Sequence, residues 1–128
     1  MISCEQKAIS VAIYTRTAAS DPEHLALERE IVEACILAYC RDKVAILPDR
    51  YEDDGYSGNT ADRPGLRRLM ADVAAGKIGR IVVERFERLA RDPTVFAELV
   101  AFLRRYGVEV VSNSVTETGI LNGKGGET

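Results

Sequence analysis

The sequence predicts an α/β fold: a three-layer, doubly wound and mostly parallel sheet of four to five strands. Two observations carry this prediction. Short β-branched, apolar runs alternate along the chain with segments whose apolar residues recur at helical spacing. The connections between these segments are short, which favours parallel strands joined by helical crossovers. With 128 residues, of which 46% are hydrophobic, the chain is long enough for one domain with one core.

The first half of the domain is predicted as strand, helix and strand. Residues 10–16 (SVAIYTR) are β-branched and apolar, and residues 44–47 (VAIL) form a second apolar run. Between them, helical spacing relates five small or apolar residues: Leu27, Ile31, Ala34, Cys35 and Ala38. Residues 53–62 follow the second strand and are rich in turn-forming residues, which predicts a loop.

The second half repeats the alternation twice more. Pro64 is typical of a helix start and Gly76 of its end, and one face between them is apolar, with Leu66, Leu69, Met70 and Val73. Residues 80–84 (RIVVE) form a third strand. Asp92-Pro93 predicts the start of a last helix that ends at Gly107, with a wide apolar stripe of Val95, Phe96, Leu99, Phe102, Leu103 and Tyr106. Residues 108–111 (VEVV) form a fourth strand.

The ends of the chain and its cysteines bound the remaining possibilities. Residues 1–9 are expected to be a flexible leader, 10–120 the folded domain, and 121–128 a flexible, glycine-containing tail. The three cysteines are odd in number and form no CxxC pair, so we expect neither a disulfide framework nor a zinc site, and we expect a reducing, cytoplasmic setting. No apolar run is long enough to cross a membrane. Neither GxGxxG nor GxxxxGK[ST] is present, and no cofactor is expected.

The charge of the chain is unevenly distributed. Its net charge is −3, yet residues 63–91 contain eight basic residues against three acidic ones, a net charge of +5. One interpretation is a solvated helix surface. The other is an anion site, because residues 16–18, 53–58 and 84–91 follow three strands whose carboxyl ends would meet at one edge of a parallel sheet. Arginine suits phosphate there, since it has a fixed charge and a planar fork of donors.

Four motifs, in this order, resemble those of the catalytic domain of serine recombinases, the resolvase/invertase family. They are Tyr14-x-Arg16-x-Ala18, Asp53-x-Gly55-x-Ser57-Gly58, Arg63-Pro64-Gly65-Leu66 and Glu87-Arg88-Leu89-Ala90-Arg91. The resemblance covers residues 10 to about 120, nearly the whole chain. It implies a resolvase-like catalytic domain that cleaves and rejoins DNA at specific sites without a metal ion.

The resemblance also implies a mechanism and a set of site residues. In this family a serine attacks the scissile phosphodiester and forms a 5′-phosphoserine link, and the subunits of a homo-oligomer then exchange strands. The matching positions make Arg16, Arg63, Arg88 and Arg91 the arginines that bind phosphate and stabilise its transition state. Each could instead be a salt-bridge partner, and Arg63 could instead cap or brace its helix. Tyr14 and Asp53 are expected to shape the pocket, with a structural pairing role open for Asp53.

Three positions depart from the family pattern. Ala18 occupies the nucleophile position, where serine is expected, and has no atom that can attack phosphorus. In an extended strand Ala18 shares a face with Tyr14 and Arg16, so Ser20 is a possible substitute nucleophile if the extended conformation continues. Glu30 stands where the family often has glutamine on the first helix, and Glu87 where it usually has aspartate.

Three interpretations of function follow. The chain is a recombinase catalytic domain in which alanine has replaced the nucleophile, so that it is inactive as written. Alternatively, it is a natural, catalytically dead homologue that binds DNA phosphates or recombinase subunits. The third interpretation is an unrelated phosphate-binding module built on the same sheet.

Overall fold

The chain forms a parallel sheet with helices on both faces. The computed structural model describes residues 8–40 and 43–113, and the backbone of residues 120–121. The described elements are, in order, β1 (Ile9–Thr17), α1 (Pro22–Tyr39), β2 (Val44–Ile46), β3 (Tyr51–Asp54), α2 (Pro64–Ala74), β4 (Arg80–Val83), α3 (Phe86–Leu89), α4 (Pro93–Arg105), β5 (Glu109–Ser112) and β6 (Ile120–Leu121). The predicted three-layer α/β fold is confirmed.

The sheet is built around β1. Strands β2, β3 and β4 all pair with β1 in parallel, β5 pairs with β4 in parallel, and β6 alone among the described strands runs antiparallel to its neighbour. The partners of β2 are residues 9–11 of β1, whereas the partners of β3 are residues 14–17. The carboxyl end of β1 therefore lies directly beside the acidic strand β3.

Each face of the sheet has its own hydrophobic core. One face carries Tyr14 of β1 and packs against Leu66 and Leu69 of α2 and Leu103 of α4. The opposite face carries Val11 and Ile13 of β1, which pack against α1 through Val32 and Ile36. The alternation of β1 side chains thus decides which functional residues lie on the α2 side and which lie on the α1 side.

The boundaries of α2 and α4 follow the predicted signals. Pro64 and Pro93 each stand in the first turn of a helix, and the Asp92 carboxylate accepts a hydrogen bond from the Thr94 backbone N–H. Gly76 and Gly107, just beyond the two helices, have φ of 80° and 70°, a left-handed conformation that favours glycine.

Three expectations need correction. Asp53 and Asp54 do not lie in a loop but in the additional strand β3, where they pair with Arg16 and Thr17 of β1. Strand β1 begins at Ile9, one residue inside the expected leader, and β6 ends at Leu121 inside the expected tail. The remainder of the leader and of the tail lies outside the described residues, apart from Ala8.

The residues that indicated helix α1 lie mainly on its exposed side. Leu27 and Ile31 are about half exposed, and Ala34 and Ala38 are exposed as well. The buried stripe is instead formed by Leu25, Glu28, Arg29, Val32 and Ile36. Because α1 is apolar on two sides, periodicity alone could not select the face that packs on the sheet. No helix in the described part of the chain is long and apolar enough to span a bilayer.

Candidate functional site

The candidate site lies where β1, β3 and β4 end. Tyr14 and Arg16 point to the α2 side of β1, and Thr17 points to the α1 side, where its hydroxyl donates to Asp54 at 2.7 Å. In the pairing of β1 with β3, Arg16 stands opposite Asp53. The segment after β4 supplies α3, whose backbone and side chains cover the same edge. The structure therefore brings the expected residues from three distant segments together.

A buried hydrogen-bond network joins Tyr14, Asp53 and Arg63. The Tyr14 hydroxyl donates to Oδ2 of Asp53 at 2.7 Å and accepts from Nη1 of Arg63 at 2.8 Å. All three residues are at most 2% exposed. Burial, more than any charged neighbour, raises the pKa of the Tyr14 hydroxyl. Tyr14 is thus a neutral bridge between the aspartate and the arginine.

Asp53 also fixes the start of helix α2. Its two carboxylate oxygens accept hydrogen bonds from the backbone N–H groups of Gly65 at 2.7 Å and Leu66 at 2.9 Å. The carboxylate takes the place of a side-chain N-cap, which Arg63, the residue at that position, does not supply. A Cβ on Gly65 would lie 2.5 Å from the carbonyl oxygen of Glu52, so glycine permits this close approach.

The guanidinium of Arg63 is used entirely within the protein. Nε donates to the carbonyl of Thr60 at 2.8 Å, and Nη1 donates to the Arg88 carbonyl at 3.2 Å as well as to Tyr14. Nη2 donates to the carbonyl of Leu89. Arg63 is fully buried and joins the start of α2 to α3. This arrangement is a structural brace, the alternative that the sequence left open for Arg63.

Arg16 is engaged in the same manner. Its Nε donates to the Arg88 carbonyl at 3.0 Å, Nη1 to the Tyr56 carbonyl at 2.9 Å, and Nη2 to the Glu87 carbonyl at 2.8 Å. Burial, and then the charge of Arg63, lowers the pKa of Arg16. Each nitrogen of the guanidinium therefore holds a backbone segment in place, and only 2% of the residue is exposed.

Arg88 is held by carboxylates rather than by carbonyls. Its Nε lies 3.3 Å from both carboxylate oxygens of Glu28, Nη2 lies 3.3 Å from Glu84 Oε1, and Nη1 lies 3.5 Å from Glu87 Oε2. The Arg88 side chain is 19% exposed and that of Glu28 only 3%. Glu87 thus contacts the neighbouring arginine by its side chain and Arg16 by its carbonyl.

Glu28 is the site residue that sequence reasoning missed. The prediction singled out Glu30 on this helix, but Glu30 is exposed, and it is Glu28 that faces Arg88. Glu28 falls three residues after Leu25 and four before Val32, on the buried stripe of α1. That spacing could have identified it once Leu25, rather than Leu27, was placed in the core.

Arg91 is the most accessible of the four predicted arginines. Its backbone N–H donates to the Gly58 carbonyl at 2.7 Å, which ties the end of α3 to the 55–60 loop. Its side chain is exposed and, within the described ranges, its guanidinium has no hydrogen-bond or ion-pair partner. A Cβ on Gly58 would lie 2.6 Å from Arg91 Cγ and 2.8 Å from Arg16 Nη2, so Gly58 lets both side chains pack closely.

The structure separates Ala18 and Ser20. Ala18 is exposed and follows directly on the end of β1 at Thr17. Ser20 does not continue the extended strand: its hydroxyl donates to Asp54 Oδ2 at 2.8 Å, and the Asp21 backbone N–H donates to Asp54 Oδ1. These hydrogen bonds tie Ser20 to Asp54. Asp54 faces the start of α1, whereas Asp53 faces the opposite side of the sheet.

Comparison with known proteins identifies the family and shows the same fold in solved structures. The family described as "Resolvase, N terminal domain" matches residues 11–124. A resolvase from Escherichia coli is 38% identical over 66 residues, which are 51% of this chain and 29% of that protein. The matched part therefore spans less than a third of the length of this relative.

Two solved structures illustrate the structural likeness. A resolvase family site-specific recombinase from Streptococcus pneumoniae has 25% identity and a TM-score of 0.67, over 81% of this chain and 71% of that chain. The C-terminal catalytic domain of ISC1926 TnpA, an IS607-like serine recombinase, has 21% identity and a TM-score of 0.72, over 83% of this chain and 71% of that chain. The second likeness concerns the fold alone.

Proposed function

The chain belongs to the resolvase N-terminal domain family, the catalytic domain of serine recombinases, and from this premise we propose that it binds DNA phosphates without cleaving DNA. In this proposal the domain takes part in site-specific recombination as a non-cleaving subunit. Binding would be directed to the phosphate backbone at the carboxyl edge of the sheet. Sequence specificity would come from segments other than the ones described.

The residue at position 18 carries the proposal. Ala18 lies two residues after Arg16, directly beyond the end of β1, and its methyl group cannot attack phosphorus. The nearest hydroxyls along the chain, those of Thr17 and Ser20, both donate to Asp54. Those hydroxyls are therefore directed to a carboxylate and not to the arginines, and a carboxylate repels a phosphate.

The charge at the edge supports phosphate binding. Arg91 is exposed and free of partners among the described residues, and Arg88 has contacts that are longer than those of Arg16. Two guanidinium groups of this kind suit the oxygens of a backbone phosphate. We expect this binding to be weak. Because it releases counterions, its affinity should fall steeply as the salt concentration rises.

Other aspects of the proposal concern the whole protein. We propose a homo-oligomer, dimer or tetramer, in the full-length protein, as recombination in this family implies. We also propose a reducing, cytoplasmic location, which the free thiols of Cys35 and Cys40 support. A mobile element that is resolved, inverted or integrated is the proposed context.

The first experiment tests the absence of cleavage. The chain is incubated with nicked DNA substrates that trap a covalent intermediate, and adducts are separated on denaturing gels. We expect no adduct with the chain as it stands and none with Ser20→Ala. An adduct that forms with the unaltered chain and disappears in Ser20→Ala would overturn the proposal.

That last outcome would favour the alternative function, an active recombinase that uses Ser20. One observation supports this alternative, since the Ser20 hydroxyl donates to the Asp54 carboxylate at 2.8 Å, as a nucleophile does to a general base. The variant Ala18→Ser measures the competence of the remaining site. If it forms an adduct that requires Arg88, only the nucleophile is missing; if it forms none, the site has lost more than one atom.

The second experiment tests phosphate binding. Fluorescence anisotropy with a labelled duplex, at low salt, compares the unaltered chain with Arg88→Ala, Arg91→Ala and the distant control Arg105→Ala, which lies in the last turn of α4. We expect weaker binding for the first two variants only. Equal affinity in all four proteins would contradict the arginine site.

A further inference from the structure

Arg88 is surrounded by three carboxylates from three parts of the chain. Glu28 comes from α1, Glu84 directly follows β4, and Glu87 belongs to α3. Each nitrogen of the guanidinium faces one of them, at 3.3–3.5 Å. The arginine can neutralise one of the three negative charges. A phosphate that reached Arg88 would therefore approach the two that remain. We call Glu28, Glu84 and Glu87 the carboxylate cage.

We propose that Glu28 gates the phosphate site by holding Arg88 in the carboxylate cage, so that DNA binds Arg88 only when this contact opens. The inference rests on the proposed function, since it assumes that Arg88 can bind phosphate. It makes Glu28 a positioning residue that acts through Arg88. Glu84 and Glu87 add to the same effect from the exposed side.

The lengths of the contacts support a cage that can open. Charge-assisted hydrogen bonds between arginine and carboxylate are ordinarily about 2.7–2.9 Å long. The contacts of Arg88 are 3.3–3.5 Å, whereas Arg16 holds its carbonyl acceptors at 2.8–3.0 Å. Arg16 and Arg63 also donate to the Arg88 carbonyl, which fixes its backbone. The Arg88 side chain can therefore change partner while its main chain stays in place.

Glu28 is the member of the cage least able to compensate its charge with water. Its side chain is 3% exposed, against 36% for Glu84 and 44% for Glu87. The charged or titratable groups around it are Arg88, Glu84, Glu87 and, one helical turn earlier, His24, whose Nε2 lies 3.4 Å from Glu28 Oε1. Burial raises the pKa of Glu28 above its usual range, although Arg88 opposes the shift. Burial thus favours the protonated, neutral form of Glu28 as the pH falls.

The test compares two variants that remove the same charge from the same helix. Glu28→Gln removes the buried carboxylate beside Arg88, and Glu30→Gln removes the exposed one two residues later. DNA affinity is measured by anisotropy at pH 7.5 and low salt. We expect binding about tenfold tighter for Glu28→Gln, because one repulsive charge beside the phosphate is lost. For Glu30→Gln we expect a change of less than about twofold, because water and salt screen that charge.

A pH series gives a second readout. Lowering the pH from 7.5 until Glu28 becomes protonated should tighten binding by the unaltered chain and change binding by Glu28→Gln much less. Because His24 Nε2 lies 3.4 Å from Glu28 Oε1, the series is repeated in His24→Gln, where the pH effect should persist. The proposal would be overturned if the pH effect disappears in His24→Gln while Glu28→Gln keeps the same pH dependence as the unaltered chain. That result would assign the switch to the histidine.

The outcomes separate this inference from the proposed function. If Arg88→Ala weakens binding but Glu28→Gln and Glu30→Gln behave alike, the gate is wrong and the phosphate site stands. If Arg88→Ala has no effect, the phosphate site itself fails. If Glu28→Gln does not fold, Glu84→Gln takes its place. The Glu84 side chain also contacts Arg88, and it is 36% exposed, so a neutral side chain can replace it. Affinity unchanged in Glu84→Gln would then count against the gate.

Discussion

Arg16 and Arg63, buried beneath the carboxyl edge of the sheet, differ from Arg88 and Arg91, at its surface, in what their guanidinium groups contact. The buried pair donates to backbone carbonyls and to the Tyr14 hydroxyl. Arg88 contacts side-chain carboxylates, and Arg91 contacts no acidic side chain within the described part of the chain. The four arginines occupy similar motifs, yet they are built into the protein in two different ways.

This difference determines which arginines can exchange partners. A carbonyl that loses a buried donor has no water to replace it, so releasing Arg16 or Arg63 costs stability. Two of the carboxylates that contact Arg88, those of Glu84 and Glu87, are 36% and 44% exposed, so water can solvate them when Arg88 turns to another partner. The buried pair shapes the edge, and under the proposed function the surface pair is the one that binds phosphate. Substitutions should therefore affect folding in the first case and binding in the second.

The largest effect is expected for Arg63→Ala. It removes the donors to Thr60, Leu89 and Tyr14 in a fully buried site. We expect the free energy of unfolding to fall by about 3–5 kcal/mol, because several buried acceptors lose their donor and a cavity remains. Urea unfolding measures it. Arg67→Ala, which removes an exposed arginine paired with exposed Asp62, is the control and should change stability by less than about 0.5 kcal/mol. Equal effects would refute the distinction between buried and surface arginines.

A smaller loss is expected for Arg16→Lys. The charge is retained, but an ammonium group cannot reach the carbonyls of Tyr56, Glu87 and Arg88 in the planar geometry of a guanidinium. We expect a loss of about 2 kcal/mol of stability. Arg105→Lys in the last turn of α4 should be neutral. If Arg16→Lys keeps its stability and loses only DNA affinity, Arg16 belongs with the surface pair.

Some elements around this edge are predictable from the sequence, and others are not. The bounds of α2 and α4 could be predicted because Pro64, Pro93 and the two glycines that follow the helices impose local backbone conformations. Strand β3 could not, since three of its four residues are acidic and its order comes from pairing with β1. Local sequence predicts a turn or a helix cap, but it does not predict the pairing of strands that lie far apart in the chain.

The site divides along the same line. The family motifs located Arg16, Arg63, Arg88 and Arg91 in sequence, but a motif does not state which atoms a guanidinium will contact. Glu28 was missed for a related reason: an acid on a helix is usually solvated, and only its position opposite Arg88 reveals its role. Partner identity depends on tertiary contacts, and those decide between bracing and binding.

The pH dependence of stability offers a test on the α1 side of the edge. The backbone N–H of Asp21, and then the hydroxyls of Thr17 and Ser20, lower the pKa of Asp54 below its usual value. A carboxylate with a lowered pKa in the folded state stabilises the protein above its unfolded pKa, and this contribution is lost as the pH falls through the folded pKa. Asp54→Asn should therefore lower the melting temperature at pH 7, and the difference should shrink as the pH falls through the folded pKa of Asp54. Asp62→Asn, which lacks these donors, should show no such convergence.

The smallest effect on stability is expected for Arg91→Ala. Its guanidinium has no partner among the described residues, so removing it should change the free energy of unfolding by less than about 0.5 kcal/mol. If Arg91 contacts one phosphate, the slope of log affinity against log salt concentration should fall by about one unit. Anisotropy titrations at salt concentrations between about 20 and about 200 mM measure this slope. If Arg91→Ala lowers stability and leaves the salt slope unchanged, Arg91 braces the 55–60 loop, as Arg16 does. Arg88 would then be the one predicted arginine able to bind DNA.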